Sequence, residues 1–453
     1  MHSPLERQDK VVLKSRWRAR SLLVAITAAV GGLLFGYDTS VISGAILFVR
    51  QEFHFTSIQV ELAVSIVLAG AAVGAAAGGY LGDRLGRKPV LMLTAIIFGV
   101  FAVVTGMAHN LGVFLAARFL VGLAVGITSM ITPLYIAELA PTEIRGALVT
   151  LNQLAIVSGI GIAYYVDYLF ADSGDWRAMF ISAVVPSVVL LVALIFLPES
   201  PRWLATRERF DQSLKVLSQI ESVEDAERDL EELRQVTKTD KLKFRDLFAP
   251  RFRSPLVVGV GLAIFQQITG VNTIIYYTPI ILQMAGFQSA SSAILATVMV
   301  GVVNFLATLI SLFLLDRVGR RPLLLIGIAG MGLSLIHLGY LFRMTHLVRS
   351  AILIDVIVYL ASFAIGLGPI FWLVISEIYP TTVRGQAMSL ASVTIWLSDL
   401  LVTTTFLSLV EALGAGPSFW VYGAACIAGF IFSLQLVPET RGRTLEQIEA
   451  SWQ

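Results

Sequence analysis

Hydrophobic positions in this chain fall in long runs broken by short polar stretches. Twelve runs stand out: 21–49, 58–81, 90–108, 111–136, 146–169 and 176–197, then, beyond a polar gap, 255–285, 292–315, 322–343, 351–378, 386–412 and 417–437. A nearly uncharged stretch of about twenty residues is long enough to cross a bilayer as a helix, at about 1.5 Å per residue. The pattern therefore predicts an all-α membrane protein of twelve transmembrane helices. Its parts are a basic segment over 1–20, a six-helix bundle over 21–197, a linker over 198–254, a second six-helix bundle over 255–437 and a tail over 438–453.

Composition agrees with the pattern. Hydrophobic residues make up 56%, charged residues 14%, and the mean hydropathy is +0.80. Those values exclude an ordinary soluble domain. The first run is too long for the apolar core of a signal peptide, and no small-residue cleavage site follows it, so it is expected to be retained. With the N-terminus inside, 28 lysines and arginines fall on the cytosolic side, while Arg50, Arg177, Arg343 and Arg349 fall outside and Arg118 lies within a run. Basic loops resist translocation, so both termini are expected in the cytosol of a multi-pass plasma-membrane protein. A net charge of +2 offers no nucleic-acid footprint. The single cysteine, Cys426, has no mate for an intrachain disulfide.

Internal repetition adds a second level. Leu81-Gly-Asp-Arg-Leu-Gly-Arg-Lys-Pro89 returns as Leu315-Asp-Arg-Val-Gly-Arg-Arg-Pro322. The stretch from Glu138 to Arg145 returns from Glu377 to Arg384, 239 residues on, and Pro198-Glu-Ser returns as Pro438-Glu-Thr. Two parallel six-helix repeats are the construction of carriers that rock about a central site. The gap between them reads as a cytosolic helical linker, with an amphipathic segment over Asp211 to Ile220 and a second helix over Ser222 to Val236 opening on a Ser-x-x-Asp cap.

These motifs bring a known family into view. The chain resembles the sugar porters of the major facilitator superfamily, in particular bacterial proton-coupled sugar symporters, over nearly its whole length. The likeness rests on Gly82-Asp-Arg-Leu-Gly-Arg-Lys, Pro198-Glu-Ser-Pro-Arg-Trp203, Gln266-Gln-Ile-Thr-Gly-Val-Asn272, Asp316-Arg-Val-Gly-Arg-Arg321, Gly368-Pro-Ile-Phe-Trp372 and Pro438-Glu-Thr440, in the family's order. It implies proton symport of a small neutral monosaccharide, hexose or pentose, by alternating access, in a monomer within the lipid bilayer. A facilitative sugar or inositol uniporter is the nearer alternative, and a transport-inactive nutrient sensor the more distant one. No cofactor or metal is expected.

Asp38 and Arg118 are isolated charges inside runs, where an ionisable group needs a partner. Eleven and seven residues from the same predicted face, they differ in depth by about 6 Å and can pair. A carboxylate exposed alternately to the two sides can carry a proton across; a fixed ion pair orienting two helices is the plainer use. The resemblance favours coupling, because its proton-coupled members carry Asp at this place and facilitative ones commonly Asn. Neutral polyols suit amides, which donate and accept, and aromatic faces. Phe35, Gln153, Gln266, Gln267, Asn272, Tyr276, Asn304 and Trp372 match the sugar-binding residues of similar transporters. Ile395 and Asp399 depart from the family pattern, which has polar amides there, and leave the role of Asp399 open.

Glycines at 31, 32 and 36, at 270, and at 366 and 368, with Pro279 and Pro369, are expected to interrupt the first, seventh and tenth helices, whereas Gly122 and Gly126 read as a packing pair. At the cytosolic helix ends lie Asp83, Arg84, Arg87, Glu138, Arg145, Glu199 and Arg202, mirrored by Asp316, Arg317, Arg320, Glu377, Arg384 and Glu439. A salt-bridge network across the two halves, closing the inner gate, is expected from them; topogenic charge is the simpler reading. No metalloprotease or nucleotide-binding motif is present, and the five histidines are scattered, so the chain is not expected to be an enzyme. His337 reads as a packed polar residue.

Overall fold

A computed structural model of the chain describes residues 24–27, 29–140, 145–219, 223–237, 244–380, 383–441, 443 and 447. The basic segment and Ser222, with its expected cap, lie outside them. Helices long and apolar enough to cross a membrane run over Val24–Phe53, Ser57–Leu85, Arg87–Gly106, Leu111–Leu139, Leu151–Ala171, Trp176–Phe196, Pro250–Met284, Ala290–Leu315, Arg320–Leu341, Arg349–Ile378, Arg384–Leu413 and Ala415–Leu436, hereafter spans 1 to 12. Each covers one expected run. The linker carries short helices over Pro201–Thr206, Phe210–Leu217 and Val223–Thr237. Leu217, Ala226 and Leu230 pack into a small core of their own beside Phe210, Leu214 and Leu233.

Polar caps set where the helices start. Thr56 and Gln59 cap span 2 reciprocally, Asn110 accepts the Val113 N–H at 2.9 Å, Asp175 accepts that of Ala178 at 3.0 Å, and Ser289 that of Ser292 at 3.1 Å. These caps begin spans 2, 4, 6 and 8 at one end of the bundle. The linker and the described part of the tail lie at the other.

Within the first half, span 4 packs on spans 2 and 3, and span 3 on span 6. The second half repeats this, span 10 against spans 8 and 9 and span 9 against span 12. A Cβ at Gly122 would meet the Val67 carbonyl, and one at Gly126 that of Ala71, so spans 2 and 4 approach backbone to backbone as the glycine pair predicts. Across the halves, span 2 packs on span 11 and span 5 on span 8, two pairs that the repeat interchanges.

The helix breaks differ partly from expectation. Span 7 divides at Gly270, which takes φ +90°, and span 10 at Gly366, as expected. Span 1 turns at Val41, not at its glycines. Those glycines pack: a Cβ at Gly32 or Gly36 would strike the span 5 backbone at Asn152 or Ile156. Close approach of two helices uses the same small residue as a break does, and here packing takes it.

The repeated basic motif has a physical explanation in its glycine and a distant glutamate. Gly86 and Gly319 take φ of +104° and +105°, turning spans 2 and 8 sharply into spans 3 and 9. Glu199 then accepts the N–H groups of Arg87 at 3.0 Å and Lys88 at 3.3 Å, and Glu439 those of Arg320 and Arg321 at 3.1 Å each. Each glutamate thus sits on the free N–H groups that open a helix, where the dipole also favours an anion. Burial pushes the Glu199 carboxyl above the usual carboxylate range, against the pull of the Ser200, Lys88 and Arg87 N–H groups and of the Arg87 charge. A Cβ on Gly86 would collide with the Glu199 carboxylate. Gly86→Ala is therefore expected to lower stability by about 1–3 kcal/mol or more, read as a fall in the thermal unfolding temperature of the detergent-solubilised protein; an unchanged temperature would refute this account of the motif.

Candidate functional site

Asp38 lies three residues before the turn of span 1, and Arg118 one-quarter of the way along span 4. Arg118 Nη1 donates to Asp38 Oδ1 at 3.0 Å and Nη2 to the Asp38 carbonyl at 3.3 Å. Their side chains are 1% and 3% exposed. The guanidinium carbon stands 5.3 Å from the centre of the Phe180 ring, a further favourable contact for a buried cation. Among the described residues, Asp38 Oδ2 has no hydrogen-bond partner. Beside it the Tyr37 hydroxyl bonds Ser182 at 2.5 Å and the Met179 carbonyl at 3.2 Å, tying span 1 to span 6.

A polar cluster forms at the break of span 7. Asn272 Nδ2 donates to Gln267 Oε1 at 3.0 Å and to Asp399 Oδ2 at 2.6 Å. The Tyr276 hydroxyl reaches the same Asp399 oxygen at 3.4 Å, and Thr403 donates to Oδ1 at 3.0 Å. Gln266 Nε2 points to the carbonyls of Leu367 and Gly368 at 3.4 Å each, at the break of span 10. The Phe35 ring of span 1 stands 5.7 Å from that of Trp396 in span 11, so the two halves meet here. Tyr164 of span 5 bonds the Ile275 carbonyl of span 7 at 2.8 Å, and the last part of span 1 packs on the last part of span 7.

The structure thus gathers Gln266, Gln267, Asn272 and Tyr276, and brings Phe35 to the same interface. Asn304 is buried in span 8 and Gln153 half-buried in span 5. Trp372 is 38% exposed, its ring 5.0 Å from that of Phe371. His337 is not packed inside as expected: its side chain is 57% exposed, although its Nδ1 stands 2.8 Å from Asp355 Oδ2.

Sequence reasoning missed three side chains and left a fourth open. Asp167 in span 5 is fully buried, with Oδ2 accepting the Gly44 N–H at 3.0 Å and Oδ1 without a partner among the described residues. Glu61 in span 2 is 2% exposed and bonds span 11. Both stand near the edge of an apolar run, where a carboxylate reads as interfacial. Trp396 escaped because its neighbour Ile395 departs from the family pattern. Asp399 is the open one, and three donors now surround it.

The ion pairs among the described helix ends form clusters within each half. Arg87 bonds Glu138 at 3.1 Å and Asp83 at 3.1 Å, and its counterpart Arg320 bonds Glu377 at 3.3 Å. Arg84 donates to the Tyr80 hydroxyl at 2.8 Å, and Arg384 to the Tyr379 carbonyl at 3.1 Å. The Arg317 carbonyl accepts from Arg441 at 2.6 Å, and Arg202 is exposed. The side chains of Arg145 and Asp316 lie outside the described residues.

Comparison with known proteins matches the sequence model of the family described as "Sugar (and other) transporter" to residues 24–452. The galactose-proton symporter of Escherichia coli (strain K12) is 38% identical over 442 residues, 95% of this chain and 94% of that one. The arabinose-proton symporter of Bacillus subtilis (strain 168) is 34% identical over 463 residues, 100% of this chain and 99% of that one. Among solved structures, the inward open conformation of the xylose transporter XylE from E. coli superposes with a TM-score of 0.83 at 32% identity, covering 96% of this chain and 100% of that one. The same transporter bound to 6-bromo-6-deoxy-D-glucose gives 0.78.

Removing one member of a buried ion pair strands the other, at about 3–5 kcal/mol. Arg118→Met is expected to destabilise by that amount, and a second change, Asp38→Asn, to recover most of it. Thermal unfolding of both variants and the parent checks this; a double variant no more stable than the single one would contradict it.

Proposed function

The chain belongs to the Sugar (and other) transporter family, and on that premise we propose that it is a proton-coupled symporter carrying a small neutral monosaccharide, a hexose or pentose, by alternating access. It is a multi-pass membrane protein. The observation that carries the reading is the buried Asp38–Arg118 pair, with one Asp38 oxygen unbonded, in the half that faces an amide cluster across the interface. The free oxygen can take a proton without breaking the pair. A carrier without coupling would need that costly acid only as a fixed ion pair orienting two helices.

In this reading Asp38 takes a proton from outside and Arg118 holds its geometry. Gln153, Gln266, Gln267, Asn272, Tyr276 and Asn304 bind the sugar hydroxyls, and Phe35 and Trp372 cover the apolar faces of the ring. The amides suit a guest that comes and goes, because Gln267, Asn272 and Asp399 satisfy one another when it is away. The charge asymmetry supports a cytosolic position for both termini. The bonds joining spans 2 and 11, at the end remote from the linker, then seal the outer face, and the present state is inward-facing. The greater likeness to an inward open relative supports this. The paired clusters at Glu138 and Glu377 belong to the inner gate, which closes when the halves rock together on that side.

Uptake into proteoliposomes across a panel of hexoses, pentoses and inositols, with and without an imposed pH gradient, tests the proposal. Asp38→Asn is expected to abolish uphill accumulation while sugar exchange between the two sides continues; accumulation at the parental level would sink the coupling role. Asn272→Ala is expected to raise half-saturation about tenfold, the effect of about 1.4 kcal/mol lost with one hydrogen-bonding group. Transport assayed over a range of sugar concentrations checks it.

A further inference from the structure

Glu61 is a carboxylate that the transport reading does not use. It lies in span 2, one turn from the outer end, and is 2% exposed. Both of its oxygens are engaged by one residue of the other half. Oε1 accepts the backbone N–H of Ser408 in span 11 at 2.7 Å, and Oε2 accepts the Ser408 hydroxyl at 2.7 Å. At the rim beside it, Ser57 of span 2 bonds Glu411 of span 11.

We propose that Glu61 is the latch of the outer gate: its grip on Ser408 holds spans 2 and 11 together and is released each time the molecule opens outward. The inference rests on the alternating-access reading above and adds the residue that sets its equilibrium.

The repeat makes this contact stand out. Spans 2 and 11 are exchanged by the repeat with spans 8 and 5, so the two pairs form one kind of interface made twice. The other copy meets through small and aromatic surfaces, with Gly301 against Gly161 and the Tyr164 ring. Apolar surfaces can slide on one another, but a carboxylate clamped on one backbone N–H and its own residue's hydroxyl fixes a single register.

A bond between halves on one face must break if the halves part on that face. A charged acceptor is well suited to such a bond. Closed, it loses hydration and gains two strong hydrogen bonds; open, it faces a wetted cleft and regains hydration. The opposing terms leave a modest net hold, which a transport cycle can make and break. A carboxylate serving only to pack one half would find its partners within that half.

The test uses spin labels and distance measurement in the full-length protein. With Cys426→Ala as background, one pair of labels goes on His109→Cys and His346→Cys, exposed in the outer loops after spans 3 and 9. A second pair goes on Leu85→Cys and Val318→Cys, exposed at the inner ends of spans 2 and 8. Glu61→Ala is expected to lengthen the outer distance, shorten the inner one and move the closed-to-open ratio at the outer face about tenfold toward open. Glu61→Gln, whose amide can still accept the N–H and donate to the hydroxyl, is expected to stay close to the parent. Ser408→Ala, which attacks the latch from the other side, is expected to shift the same way by less, and it serves if Glu61→Ala does not fold. Unchanged distances in Glu61→Ala and Ser408→Ala, or a shift toward closure, overturn the latch. Failure of the broader reading looks different: the parent itself would show no reciprocal change at the two faces when saturating sugars of the uptake panel are added.

Discussion

A carboxylate taken out of water inside a membrane-spanning bundle must be answered by some other part of the protein, since leaving it unanswered costs several kcal/mol. Asp38 is answered by Arg118 and Asp167 by the Gly44 N–H. Asp399 is answered by Asn272, Tyr276 and Thr403, and Glu61 by Ser408. In each case the answer includes a group on another helix. The acids therefore stitch span 1 to span 4, span 5 to span 1, span 11 to span 7 and span 2 to span 11. The first two stitches lie within the first half and the third within the second half. Only the fourth crosses between them.

That distribution separates what is rigid from what can move. Spans 2 and 4 touch backbone to backbone at Gly122 and Gly126, a fit that tolerates no displacement. Glu199 and Glu439 pin spans 3 and 9 to the chain leaving spans 6 and 12, so each half is closed on itself at the linker end. Between the halves the structure relies on the two exchanged helix pairs, the packing of span 1 on span 7, the Phe35 and Trp396 rings, and a few hydrogen bonds. Motion is cheapest where contacts are fewest, and the broken helices at Val41, Gly270 and Gly366 lie in spans next to that seam.

The architecture was legible in the sequence because bilayer thickness writes itself into run length, and because a duplicated chain carries the same turn chemistry twice. Each expected run found its helix, and the Gly122 and Gly126 pair packed as expected. What stayed hidden depended on the third dimension. A glycine that breaks a helix and one that admits a neighbour look alike, so the break of span 1 was placed at Gly31 to Gly36 when it falls at Val41. Glu61 and Asp167 went unremarked because the local pattern cannot see the helix that covers them. The sequence offered the charged helix ends only as one group, and it is the fold that pairs Arg87 with Glu138 and Arg320 with Glu377, each within its own half. The Asp38 and Arg118 pair was legible for the opposite reason: two lone charges at matched depth have few other places to go.

The cluster at Asp399 shows why an acid can serve where amides are usual. Asn272 spends both of its amide protons on acceptors, one on Gln267 and one on Asp399. With no guest present, donors and acceptors balance, and no strong group is left bare. A sugar hydroxyl both donates and accepts. If it donates to Asp399, it frees a proton of Asn272, which can then bond that same hydroxyl or its neighbour. The exchange conserves the number of hydrogen bonds, so binding is decided by the geometry of vicinal hydroxyls and by the aromatic faces that cover the ring. In the proposed reading, an ionised carboxylate there would make the incoming bond stronger than an amide oxygen does.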